Sequence, residues 1–175
     1  MTLTHISERV TPTERVAVRC VDSDVHPVPR RGVLQEYIPE PIRSKYFMNH
    51  RVGELIYYDA PDYAHAYAMR VDTFPDDGEF ACTDPDLALR QAIMEAGADI
   101  AVLEPVHSYC RTTEATAALT YAHNAWQAEH WLDGKNNWHE RWRGSICVAI
   151  EDPDGAAREI EKWAGHPYMA QVLIK

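Results

Sequence analysis

A chain of 175 residues fits one domain and is long enough to bury a core. With 17 basic against 27 acidic residues, a formal charge of −10 and no Lys/Arg stripe, it would repel a nucleic-acid backbone, which excludes that class of partner. No apolar run approaches the roughly 20 residues of a membrane helix, and the N-terminus lacks a charged-then-apolar leader, so no membrane partner and a cytoplasmic address are expected.

The hydrophobic fraction of 46% and charged fraction of 25% are those of an ordinary globular protein. Cys20, Cys82, Cys110 and Cys147 are scattered with no C-x-x-C pair, which reads as reduced structural thiols rather than a disulfide framework. Residues 1–14 are polar and contain Pro12, as in a flexible arm, and the remainder, 15–175, reads as one domain. From Val16 to Val21 the chain is apolar and β-prone. This first strand runs into Asp22-Ser23-Asp24-Val25-His26 and is stopped by Pro27 and Pro29.

Leu34 to Pro39 forms a short amphipathic piece. An aromatic-rich insert with little periodicity follows, at about 41–84, and a lid or interface arm is the expected role for an insert of that length. Asp84-Pro85 carries the signature of an N-cap followed by proline in the first turn, and Gly97 that of a helix stop. A second strand spans Asp99 to Glu104. A long helix then starts at Thr113 or Glu114, with Leu119, Ala122, Trp126 and His130 at helical spacing. A third strand spans Gly144 to Ile150, a third helix Gly155 to Trp163 behind Glu151 and Asp152, and a last strand Met169 to Ile174.

This alternation predicts an α/β fold with a parallel sheet, its apolar strands covered on both faces. A complete (β/α)₈ barrel needs about 250 residues. Four strands followed by Lys175 therefore predict the N-terminal half of a TIM-type barrel, either completed by another chain or a piece of a longer protein.

Alternation along a strand puts Asp22, Asp24 and His26 on one side, and barrel active sites sit at the carboxyl ends of the strands. Carboxylate and imidazole suit Zn²⁺ first, with Mn²⁺ or Fe²⁺ as alternatives. On spacing alone, Asp24 and His26 are equally a turn, the aspartate bonded to the backbone and the histidine half-exposed. Glu104, His107, Glu151 and Asp152 follow later strands. His107 is a candidate for proton transfer, whereas Asp152 and Glu151 also read as a cap and a helix-start charge. The tryptophans read as core or interface anchors, and His123, His130 and His139 as partly exposed helix surface. Glycine-rich nucleotide loops, serine-hydrolase elbows and H-E-x-x-H motifs are absent from the sequence.

The motifs Val21-Asp-Ser-Asp-Val-His-Pro27, Tyr37-Ile-Pro39, Arg70-Val-Asp-Thr-Phe-Pro-Asp-Asp-Gly78, Asp99-Ile-Ala-Val-Leu-Glu-Pro105, His123-Asn-Ala-Trp126, Arg143-Gly-Ser145, Glu151-Asp-Pro-Asp-Gly-Ala-Ala157 and Gln171-Val-Leu-Ile174 come in this order. Together they resemble the amidohydrolase superfamily, in its amidohydrolase-related branch with the aminocarboxymuconate-semialdehyde decarboxylase type. The resemblance runs from about Val16 to the end. It implies a metal-dependent barrel in which Asp24 and His26 match the first-strand ligand pair, with aspartate in place of the first histidine. Further ligands are implied on strands later than the fourth. It also implies a small cyclic or aromatic carboxylate, amide or lactone as substrate, and either hydrolysis by a metal-activated water or loss of CO₂ with protonation of carbon. A non-catalytic half-barrel that pairs with itself or with a complementary chain is the competing expectation.

Overall fold

The computed structural model describes residues 19–47, 70–105, 110 and 112–174. Its elements are β1 (Val21–Val25), α1 (Val33–Glu36), α2 (Pro85–Ala88), β2 (Ile100–Leu103), α3 (Thr113–His130), β3 (Trp142–Val148), α4 (Pro153–Trp163) and β4 (Met169–Ile174). A short π-helix lies at Arg43–Phe47 and a 3₁₀ turn at Val71–Thr73, and α2 continues as a π-helix over Leu89–Glu95. Of the aromatic-rich insert, 41–47 and 70–84 lie within the described residues.

The local signals explain most of the helix ends. Asp84 accepts from the N–H groups of Asp86 and Leu87, with Pro85 just inside the helix, and Gly97 closes the π-turn at φ +77°. Thr112 accepts from Ala115 N–H at the head of α3, and Asp152 from Gly155 N–H at the head of α4.

The four strands form one parallel sheet in the order β1-β2-β3-β4, each paired with its neighbour in the chain. The fold is thus mixed α/β, with a sheet order compatible with half of a (β/α)₈ barrel: it shows no reversal of strand order of the doubly wound kind. Of the predicted run from Val16 to Val21, residues 16–18 lie outside the described residues; β1 as described contains the D-S-D segment, and its backbone pairs Val21 with Ile100 and Asp22 with Ala101. Pairing overrides the turn preference of those aspartates. Full cover of every strand does not hold either. β2 and β3 are largely buried, whereas most of β1 and β4 is exposed.

The core lies between the sheet and the helices. Val25, Ala101, Leu103 and Trp142 from the strands pack with Ile93, Trp126, Trp131 and Leu132. Trp131 and Trp142 meet edge to face at 5.3 Å, a geometry worth about 0.5–1.5 kcal/mol beyond burial. Trp126 joins them in the core as expected, but Trp138 is 70% exposed. A second cluster, Ile38 and Phe47 with Ala115, Ala118, Leu119 and Ala122, covers another flank of α3. Helix α3 is therefore enclosed on more than one side, which is why its small residues run all the way round. It also corrects the expectation of a surface histidine: His123 is buried, with Nδ1 against the Leu119 carbonyl at 2.9 Å.

Helix α3 does something further for the sheet. The β2–β3 ladder stops at Leu103–Gly144, while β3 continues to Val148. Gly144 N–H donates to Tyr168 on the β4 side and Ala101 N–H to Arg141, so Ser145 and Cys147 turn their backbone groups toward the side β2 has left. Two amide side chains of α3 occupy that side. Gln127 donates to Ser145 O (2.6 Å) and accepts from Ser145 N–H (3.2 Å). Asn124 donates to Cys147 O (2.9 Å) and accepts from Cys147 N–H (2.7 Å). Both side chains are fully buried, and together they stand in for the missing strand.

Candidate metal centre

Val25 faces the core, and alternation along β1 puts Asp24 and His26 on the other face of the sheet. Beyond Val25, Glu104 N–H donates to Val25 O at 2.7 Å, extending the β1–β2 contact by one residue. The ladder then ends, since Pro27 and Pro105 have no N–H to give. The His26 ring replaces the missing rung: its Nδ1 lies 2.8 Å from the Glu104 carbonyl oxygen. A carbonyl can only accept, so Nδ1 carries the proton. Nε2 is thereby turned toward Asp24, whose Oδ1 lies 3.2 Å away. With Nδ1 protonated, that contact is attractive only with a proton or a cation between the two atoms.

The Glu104 side chain completes the group. One ligand atom from each of Asp24, His26 and Glu104 lies within 4.8 Å of the other two. The side chains of Asp24 and His26 are 75% and 41% exposed, so the group opens on the free face of the sheet. Asp22 stands apart: its Oδ1 accepts from Asp24 N–H at 3.1 Å, and a register irregularity separates it from Val25. The expected pair Asp24 and His26 is thus brought together, while Asp22 serves the backbone.

The donor set suits a divalent ion. Bonds of about 2.0–2.2 Å in a tetrahedron put neighbouring ligand atoms about 3.3–3.5 Å apart, close to the 3.2 Å between Nε2 and Oδ1. Glu104 offers an oxygen within 4.8 Å of both. A histidine whose second ring nitrogen donates to a backbone carbonyl is also the usual arrangement of a metal-ligating imidazole. An ion held by these three would keep an open side, the ligand count of a catalytic rather than a structural zinc site.

A row of side chains extends from Glu104 across the sheet. Gln171 on β4 donates through Nε2 to Glu104 Oε1 and to Ser145 Oγ, each at 3.0 Å. Ser145, on the strand between, is short enough for the two long side chains to meet above it. Sequence reasoning placed Glu104 at a strand end without making it a ligand, and passed over Gln171. A lone amide inside the apolar run Met169–Ile174 was the available signal.

The other candidates lie elsewhere. His107 lies outside the described residues. Asp152 caps α4 and accepts from Tyr121 Oη at 3.2 Å, and Glu151 is an exposed residue beside it. His130 contacts Tyr37 Oη at 2.9 Å, and His139 lies beside Trp138 and Trp142, so the three histidines read as surface occupy three different environments. A groove of about 670 Å³ beside α2 is rich in aspartates. Three of its five aspartates are already engaged: Asp72 by Arg70, Asp77 by Arg30, and Asp84 as the helix cap. All four cysteines are free thiols. Among the described residues no helix is long and apolar enough to cross a membrane. No family model and no curated protein matches the chain.

Proposed function

We propose that Asp24, His26 and Glu104 hold a divalent cation, Zn²⁺ before Mn²⁺ or Fe²⁺, in a metal-dependent hydrolase of amidohydrolase type whose barrel half is this sheet. The observation that carries the reading is the His26 ring, with Nδ1 engaged by the Glu104 carbonyl and Nε2 directed at Asp24 Oδ1. Support also comes from the parallel sheet in sequential order, with the cluster at the carboxyl ends of β1 and β2. A bound ion of this kind polarises a substrate carbonyl or carboxylate, or lowers the pKa of its water toward about 7. Asp24 and Glu104 neutralise the ion, His26 orients by its fixed tautomer, and the exposed side of the cluster admits a small cyclic or aromatic carboxylate, amide or lactone. Loss of CO₂ from an aromatic carboxylate is the alternative reaction for the same centre.

The test is metal content after Zn²⁺ loading and gel filtration, for wild type and the double variant Asp24→Ala/His26→Ala. One equivalent lost in the variant is expected, and equal content in both sinks the assignment. Lactone and amide hydrolysis, assayed beside CO₂ release, then separates the two reactions, and activity confined to CO₂ release would overturn the hydrolase reading.

A second reading is favoured by exposed apolar residues on the outer strands, Val21 at 52%, Val172 at 39% and Ile174 at 64%. In it the sheet is a non-catalytic half that pairs with a second copy or a complementary chain through these strands. Light scattering after size exclusion checks it: a stable monomer at micromolar concentration counts against pairing.

A further inference from the structure

We infer that Gln171 is a positioning residue for the metal centre, holding the Glu104 carboxylate in the orientation that lets it ligate. The inference rests on the metal reading above and assigns a role to a strand that contributes no ligand.

Glu104 leaves the end of β2 on a three-torsion side chain that is only partly buried, and a free glutamate there would sample several rotamers. In the structure one of its oxygens is engaged: Gln171 Nε2 donates to Glu104 Oε1 at 3.0 Å. The second proton of the same amide nitrogen goes to Ser145 Oγ, also at 3.0 Å. Ser145 is fully buried, and its own backbone is clasped by Gln127 from α3. The amide nitrogen is thus anchored on a buried strand and uses its other proton to hold a carboxylate oxygen. Oε1 is held from the β4 side, which leaves Oε2 to turn toward Asp24 and His26. A hydrogen bond to one carboxylate oxygen while the other ligates is how outer partners fix metal-binding carboxylates, and losing such a partner typically lowers metal affinity about 10–100-fold.

Gln171 is itself exposed, so its removal leaves no core cavity and the variant is expected to fold. The experiment is Zn²⁺ titration by calorimetry on the full chain for wild type, Gln171→Ala, Glu104→Ala and the double variant, with far-ultraviolet circular dichroism on each metal-free protein. Gln171→Ala is expected to weaken Zn²⁺ binding about 10–100-fold with an unchanged metal-free spectrum. In the Glu104→Ala background the same substitution is expected to have no further effect, because its only route to the ion is gone. A structural role would lower affinity by the same factor in both backgrounds, and that result overturns the inference. So does wild-type affinity in Gln171→Ala. If Zn²⁺ binding to the wild type is untouched by Asp24→Ala/His26→Ala, the metal reading itself falls and takes this role with it.

Discussion

Replacing Gln127 by methionine isolates what the α3 amides contribute to the sheet. Methionine nearly conserves the volume and adapts to irregular gaps, so packing losses stay small. Both hydrogen bonds to the Ser145 backbone vanish, and its N–H and C=O are left in a fully buried setting. Each orphaned buried group costs about 1–3 kcal/mol. The Cys147 thiol, 3.6 Å from Ser145 O, offers the carbonyl weak relief. The expected loss is therefore about 2–4 kcal/mol, out of a total near 5–15 kcal/mol for a domain. With a urea slope of about 2 kcal/mol per molar, the unfolding midpoint should fall by roughly 1–2 M, read by tryptophan fluorescence. Gln127→Glu is expected to be as damaging at neutral pH and to recover on acidification. Its buried carboxylate would have a raised folded pKa, so its penalty fades as falling pH protonates it and restores a donor for Ser145 O. A midpoint for Gln127→Met within about 0.3 M of wild type would refute the idea that this side chain substitutes for a strand.

Gly144→Ala is expected to lose about 1–3 kcal/mol in thermal or urea unfolding, since a Cβ there would meet Leu132 Cδ1 at 2.6 Å, Met169 Sδ at 2.8 Å and Gln127 Oε1 at 2.9 Å. Acidification should destabilise the fold through His139 and His166, whose imidazoles are held below the usual histidine range by desolvation, aided at His139 by Arg141. The unfolded state then takes up protons first, so stability is complete above about pH 6.5 and declines as pH falls below it. Urea midpoints at pH 7 and pH 5 should converge in His139→Gln/His166→Gln, and an unchanged difference would contradict this origin. Native thiol labelling should modify Cys20 rapidly and the remainder slowly, because Cys20 is exposed while burial pushes Cys82 up to about 12 and Cys110 up to about 11. Cys20→Ser should remove the fast phase.

What could be read from the sequence was what local rules determine. Asp84 and Asp152 announced their helices because capping needs only a side-chain oxygen and the next two or three N–H groups. Strands β2 to β4 followed from short apolar runs between helices, with β3 displaced two residues toward the C-terminus in expectation. β1 was expected to run into the D-S-D segment and does, with Asp22 paired to Ala101, while the start of its apolar run, 16–18, lies outside the described residues. The burial of His123 was unreadable, since a helix enclosed on several sides by Ala and Thr shows no clear amphipathic stripe. Asp24 and His26 were legible as a pair from strand alternation. Glu104 was not legible as their neighbour, because the His26–Glu104 contact joins residues 78 apart. Gln171, 67 residues beyond Glu104, is further still from any local rule.

The sequential strand order also bears on how the sheet assembles. β2, α3, β3, α4 and β4 are contiguous, and the connections their pairings close, 104–141 and 149–168, are each built around a helix and shorter than the one before β2, so this unit can form as a more local event. Joining β1 to β2 instead requires closing the whole stretch 26–99, an entropic cost that grows slowly with length but must be met before any contact returns it. The β2–β4 unit is therefore the expected nucleus and β1 the last strand to dock. Truncating Leu103 or Trp126 should slow folding, whereas truncating Val25 should chiefly accelerate unfolding. On that order the Asp24–His26 pair meets Glu104 only in the final step, so a bound cation would act on the docking of β1 and hold the completed sheet closed.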